Sequence, residues 1–198
     1  MNFEPERTAI NRTSNSQPIM TKPLRWLLEK GYPNLLSDVK SMLDYGAGKA
    51  HDAELIHEEH PNINTQAYDP HPHKGFEHRT TFPKGCWDLV TCNFVLNVLE
   101  IESAREEVVQ NIYRLTAPEG YFMLSTRSRK DIAKQNYAEE IAPDVYVSKK
   151  TSTYYQVQVP YDSEDLVEFV KGLYPQVEVV PLAKKPPGHF GLVLFKKP

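Results

Sequence analysis

Cysteine is scarce in this chain, which holds only Cys86 and Cys92, and two thiols cannot build the disulfide framework of a small secreted scaffold. The even alternation around Cys92 reads as a buried strand thiol, and a reducing cytoplasm is the expected home. No apolar run approaches the roughly 18 residues that suggest a membrane helix. The first residues carry Glu4 and Glu6 without an apolar segment, so they do not read as a secretory leader, and no membrane partner is expected. A large excess of one charge is also missing. The formal net charge is -3, so contact with nucleic acid has to come from a local basic patch. Metal-ligand spacing is absent too: His71, His73 and His78 crowd one loop, but neither paired cysteines nor a helical His-Glu spacing accompanies them. A solvated loop, with His71 beside any bound ligand, is the expected reading, and no metal is called for.

What is present suits a single globular domain of 198 residues. Hydrophobic residues make up 40% and charged residues 25%, unlike the low-hydropathy, high-charge balance of a disordered chain, and the 16 prolines punctuate loops. Residues 1–18 form a polar arm, followed by a helix over 21–30 that ends at Gly31. Beyond it the chain alternates. A strand is expected over 41–45, a helix over 50–59, short strands over 65–68 and 87–92, a helix over 102–115 and a strand over 121–126. That order predicts an α/β fold with a doubly wound, mostly parallel sheet. The tail adds a helix over 164–173 and strands over 177–181 and 190–195, which predict an antiparallel hairpin at the edge of the sheet. An insertion over 127–162 is expected to place a helix and a hairpin over one end of the sheet.

The chemistry concentrates where the first strand meets the first helix, at Asp44-Tyr45-Gly46-Ala47-Gly48. Glycine at such a turn lets the backbone bend tightly and approach a ligand. A dinucleotide fingerprint would bring a pyrophosphate to the helix N-terminus, but its six-residue glycine spacing is missing and Asp44 precedes the first glycine. A carboxylate there suits a cationic ligand better than a phosphate. Asp69 closes the second strand 25 residues after Asp44, the kind of offset at which a carboxylate accepts the two hydroxyls of a ribose. The plain alternative is that the glycines only make a turn and Asp69-Pro70 only ends a strand.

Over 42–198 the chain resembles the seven-strand, Rossmann-like class I S-adenosylmethionine-dependent methyltransferases. The resemblance rests on Leu43-Asp44-Tyr45-Gly46-Ala47-Gly48, Tyr68-Asp69, Trp87-Asp88-Leu89-Val90-Thr91-Cys92-Asn93 and Pro118-Glu119-Gly120-Tyr121, with the reversed hairpin at the end. It implies S-adenosylmethionine as cofactor, with Asp44, Gly46 and Gly48 along its methionine part, Asp69 on its ribose and Asn93 beside the methyl-transfer centre. Further segments, Thr8-Ala9-Ile10-Asn11-Arg12-Thr13, Cys92-Asn93-Phe94-Val95-Leu96-Asn97-Val98 and Thr153-Tyr154-Tyr155-Gln156, resemble methyltransferases associated with DNA phosphorothioation loci and their phage relatives. The chain departs from the family at Ala50, where many members have a third glycine, and in the short segment between Asp69 and Cys86.

Asn93 is the candidate catalytic residue, placed to orient an acceptor, although asparagine at a strand end also makes turns. The Asn-Pro-Pro-aromatic signature of amino-methylating DNA enzymes is missing. Arg12, Arg127, Tyr154 and Tyr155 are the candidate acceptor-binding residues. Together with Arg129, Lys149 and Lys150 they could hold phosphates and stack bases, so nucleic acid is the first expectation for the acceptor. A small-molecule methyltransferase, or a sensor or scaffold that binds S-adenosylmethionine without turnover, stands beside it.

Overall fold

The computed structural model describes residues 19–71, 78–79, 81–134, 138–149 and 155–198. The chain enters through α1 (Lys22–Trp26), whose Pro23 occupies the first turn, where a missing N–H costs nothing. The helix continues as a π-helical turn, Leu27–Gly31. Then follow β1 (Ser41–Tyr45), α2 (His51–Glu59), β2 (Asn64–Tyr68), β3 (His78–Arg79), β4 (Trp87–Asn93), α3 (Glu102–Leu115) and β5 (Thr116–Arg127). The insertion contributes α4 (Arg129–Ala133), β6 (Ala138–Ala142), β7 (Val145–Lys149) and β8 (Tyr155–Gln158). Last come α5 (Ser163–Leu173), β9 (Glu178–Val179) and β10 (Phe190–Lys196).

Seven strands form one sheet in the order β3-β2-β1-β4-β5-β10-β9. Neighbours pair in parallel from β3 through β5, and β10 pairs antiparallel with both β5 and β9. The α/β class and the mostly parallel sheet are as expected. The terminal antiparallel pair is also as expected, with β10 between β5 and the two-residue edge strand β9. The sheet also holds a strand that was not expected, β3, which pairs Ala67 with His78 and Tyr68 with Arg79. The expected third strand is therefore β4. The insertion builds three strands in the order β6-β7-β8 instead of a hairpin.

Strand alternation explains why both faces are buried. Leu43, Val90, Cys92, Phe122, Leu124, Val193 and Phe195 point to one side, where Val109, Ile112, Leu166 and Val170 of α3 and α5 cover them. Met42, Leu89, Met123, Leu192 and Leu194 point to the other, under Leu24, Leu27 and Ile56. Asp44 shares this second parity with Met42, which turns its carboxylate toward α2. β5 starts earlier than expected because Pro118, Glu119 and Gly120 form an excursion between two paired stretches, with Glu119 at φ +59°.

One tail contact has a measurable value. Lys197 Nζ donates to the carbonyls of Tyr113 and Thr116 at 2.9 and 2.8 Å, which caps the C-terminal end of α3, and it also sits 4.5 Å above the Tyr113 ring. A cation at that pole and charge-assisted hydrogen bonds both stabilise. Lys197→Ala is expected to lower the urea unfolding free energy by about 1–2 kcal/mol, with the slope of the transition unchanged.

Candidate functional site

The glycine turn is held by the strand beside it. Gly46 and Ala47 N–H groups both donate to the carbonyl of Tyr68, at 2.8 and 3.0 Å, continuing the β1–β2 ladder past the end of β1. Gly46 and Gly48 take left-handed φ values of +72° and +56°, and Ala50, in the third-glycine position, takes +58°. The two glycines have different surroundings. A Cβ on Gly46 would lie 2.4 Å from Val95 Cγ2, while one on Gly48 would meet no heavy atom of the described residues within 4 Å. Gly46 thus admits the chain that leaves β4, and the described residues leave room at Gly48.

Asp69 closes the turn from the β2 side. Its Oδ2 accepts the Gly48 N–H and its Oδ1 accepts the His71 N–H, each at 2.8 Å. Each carboxylate oxygen keeps a further lone pair for a hydroxyl donor. β1 pairs with β2 and β4 on either side, with Asp44 opposite Ala67 and Thr91. Asp44, Gly46, Gly48, Asp69 and Asn93 therefore collect at the carboxyl ends of three adjacent strands, where open α/β sheets bind ligands.

Asn93, the last residue of β4, has both ends of its amide engaged. Nδ2 donates to Asp52 Oδ2 at 3.0 Å, and Oδ1 accepts from Ser125 Oγ at 2.6 Å. The carboxylate can only accept from the amide here, so it fixes which way round the amide sits. Asp52, in the first turn of α2, also accepts from Thr21 N–H and Thr21 Oγ1 at 2.6 and 2.7 Å. It is a site residue that sequence reasoning missed. Its only local signal is an acid in a first helical turn, which reads as an ordinary dipole partner.

Asp44 and Asp52 are each 3% exposed. Burial, then the charge of Asp52, hold the Asp44 carboxyl well above the usual carboxylate range; a hydrogen bond from Thr91 Oγ1 at 3.2 Å pulls the other way. Burial also raises Asp52, tempered by the two Thr21 donors. Burial pushes the Cys92 thiol up as well, which leaves it a packing residue instead of a nucleophile. A cleft of about 630 Å³ bordered by Met20, Leu28, Leu36 and Leu55 contains none of the five collected residues; we assign the site by its chemistry, not by the size of that hollow.

The basic candidates within the described residues are held by carboxylates of their own. Arg127, the last residue of β5, pairs with Asp131 of α4 at 2.8 Å. Arg129 binds Asp144 at 2.9 Å, Asp162 at 3.3 Å and, by a very short contact, Asp165, which straps the β6–β7 turn to the capped N-terminus of α5. Arg12, His73, Lys150 and Tyr154 lie outside the described residues, as do the side chains of His78, Lys149 and Tyr155, whose backbones lie in β3, β7 and β8. Among the described residues no group of His, Cys, Asp and Glu is arranged to hold a metal, and no helix is long and apolar enough to cross a membrane.

The strap makes a pH prediction. Arg129 holds the Asp144 carboxyl below its usual value near 3.8, so the folded state favours the ionised form. That contribution is present above about pH 4 and is lost as pH falls through the lowered value. The groups are 33–48% exposed, so solvent screening limits the whole cluster to about 1 kcal/mol. Arg129→Gln should speed hydrogen exchange in β6 and β7 at pH 7 while α3 and β4 keep their protection, and the difference should shrink as pH falls below the ordinary carboxylate value near 3.8.

The comparisons with known proteins agree with this geometry. A sequence model described as a methyltransferase domain matches residues 18–165. No curated protein matches the sequence. Among solved structures, an S-adenosylmethionine-dependent methyltransferase from Clostridium acetobutylicum superposes with a TM-score of 0.59 at 11% identity, covering 83% of this chain and 87% of that one. CalS10 from Micromonospora echinaspora, an amino pentose methyltransferase with S-adenosylmethionine bound, gives 0.55 at 16% identity over 82% and 85%. CcbJ, a methyltransferase from Streptomyces caelestis, gives 0.55 at 8% identity over 82% and 92%. At these identities the likeness is one of fold. The sequence match takes in the glycine turn, both strand-end aspartates, Asp52 and Asn93, and the chain belongs to the methyltransferase-domain family, as an enzyme that uses S-adenosylmethionine.

Proposed function

We propose that this methyltransferase works in the cytoplasm on a small acceptor molecule, with Asp44, Gly46, Gly48 and Asp69 holding the cofactor and Asn93 orienting the acceptor. The cofactor suits the residues present. The described residues leave room at Gly48 that a Cβ would fill, Asp69 retains lone pairs for ribose hydroxyls, and two buried carboxylates suit a cationic group better than a phosphate. When bound, S-adenosylmethionine supplies a methyl carbon on a positively charged sulfur: the acceptor's lone pair forms the new bond to that carbon while the carbon–sulfur pair returns to sulfur as a neutral thioether.

Because that leaving group is neutral, the protein's task is alignment, with the reacting atoms about 3–3.5 Å apart and in line. Asn93 suits this role: Asp52 and Ser125 fix its amide, and its remaining N–H and lone pair can hold an amine or hydroxyl. Cys92 lies within the buried core, consistent with a protein that keeps its thiols reduced.

The observation that favours a small acceptor is the pairing of Arg127 and Arg129 with four aspartates. A phosphate backbone needs cations that can exchange their small counterions for phosphates, and these two already have protein partners. Exposed Glu139 and Glu140 add negative charge to β6. Nucleic acid, suggested by the resemblance to proteins of phosphorothioation loci and phage, is the contrasting reading. Incubation with methyl-labelled cofactor and fractionated host metabolites, DNA and RNA separates them. Label is expected in the metabolite fraction. Label in DNA or RNA would overturn the small-acceptor reading, and cofactor binding with no labelled fraction would point to a sensor.

A further inference from the structure

The cofactor site carries three carboxylates and satisfies them with neutral donors. Asp44 Oδ1 takes the Thr91 hydroxyl, and no donor among the described residues reaches Oδ2. Asp52 takes Thr21 N–H, Thr21 Oγ1 and the Asn93 amide. Asp69 takes two backbone N–H groups. None of the three forms an ion pair with a lysine or arginine among the described residues; Asp52 is eased first by its Thr21 donors and then by the neighbouring His51. The N-terminus of α2 adds only partial positive charge. Two buried acids bonded to Thr91 and Asn93 on one face of β4, with no lysine or arginine partner among the described residues, are costly to ionise, and a fixed positive charge placed beside them relieves that cost.

We infer that Asp52 and Asp44 form a specificity-determining pair that makes the site prefer the cationic cofactor over its neutral demethylated product, so that methyl transfer itself loosens what is left behind. The inference rests on S-adenosylmethionine being the methyl donor. The two molecules share their adenosine, ammonium and carboxylate and differ only in the sulfur's methyl group and positive charge. Their affinity ratio therefore isolates the charge and one methyl. Asn93, one hydrogen bond from Asp52, is the residue proposed for the transfer centre, which puts the pair close to that charge. At the effective dielectric of a partly buried site, a charge pair separated by several ångströms is worth about tenfold or more in binding.

Calorimetric titration of the intact protein with S-adenosylmethionine, S-adenosylhomocysteine and sinefungin, whose protonated amine replaces the sulfonium, tests this directly. Wild type is expected to bind both cations at least about tenfold tighter than the homocysteine form. In Asp52→Asn that ratio should fall severalfold, with the cations losing more affinity than the neutral product. Equal binding of all three by wild type, or a preference for the product, would overturn the inference. So would an unchanged ratio in both Asp52→Asn and Asp44→Asn. If Asp52→Asn does not fold, the wild-type comparison of sinefungin with S-adenosylhomocysteine decides alone. Absence of binding by any of the three would instead remove the donor assignment itself.

Discussion

Gly48→Ala is expected to leave the protein folded and to weaken S-adenosylhomocysteine binding at least about tenfold, or about 1.4 kcal/mol, whereas Gly46→Ala should damage the fold. Both positions have left-handed φ values, at which an alanine costs about 1–2 kcal/mol. At Gly48 no described residue adds to that cost in the free protein, because the new methyl meets none of their heavy atoms within 4 Å. The methyl instead occupies the space we assign to the cofactor. At Gly46 the methyl overlaps Val95 Cγ2 at 2.4 Å, and such overpacking adds about 1–3 kcal/mol. Against a total stability of about 5–15 kcal/mol, the sum of roughly 2–5 kcal/mol is a large fraction. Urea unfolding and calorimetry on both variants check the contrast. A Gly48→Ala protein that binds like wild type would show that the turn is structural only.

Asp44→Asn should move stability and affinity in opposite directions. The carboxyl's folded pKa lies above its ordinary value of 3.8, so folding favours the protonated form. Its contribution to stability is full below that ordinary value and declines as pH rises toward the folded value. Asparagine mimics the protonated acid and can still accept from Thr91, so the free variant should melt higher than wild type at pH 7. Binding of S-adenosylmethionine should weaken at least about tenfold, because the negative charge is gone. In wild type the same linkage makes cofactor binding tighten with rising pH and release protons, which titrations in buffers of different ionisation enthalpy detect. The groups that share the field are Asp52, Asp69 and Cys92, with His51 acting on Asp52. A variant less stable than wild type would contradict the burial argument, and unchanged affinity would remove Asp44 from the site.

These effects follow from residues of unequal legibility. The glycine turn stood out because breakers and apolar periodicity agree there, with β1 ending where the glycines begin. Ala50 could be recognised as standing in a glycine position, and its φ of +58° shows the backbone keeping the glycine conformation. β3 was hidden because a two-residue strand has no alternation to read; its pairing to β2 makes it a strand. β6, Ala138–Ala142, contains good helix formers, and antiparallel pairing with β7 overrides that local preference. Asp52 was hidden for a different reason. Its meaning depends on Thr21, 31 residues before it, and Asn93, 41 residues after it. The Arg127–Asp131 pair is local, four residues apart, but the aspartates around Arg129 come from two separate places in the chain, the β6–β7 turn and the N-terminus of α5.

The central claim, that the carboxyl ends of β1, β2 and β4 hold S-adenosylmethionine, is tested most directly by titrating wild type and Asp69→Ala with S-adenosylhomocysteine. Asp69 accepts the Gly48 N–H with one oxygen and the His71 N–H with the other and is the residue proposed to hold the ribose, so its loss removes the support of the turn and the proposed ribose contact at once. The account predicts one binding site per chain in wild type and affinity at least about tenfold lower in Asp69→Ala. No binding by wild type, or equal binding by the two proteins, would contradict it.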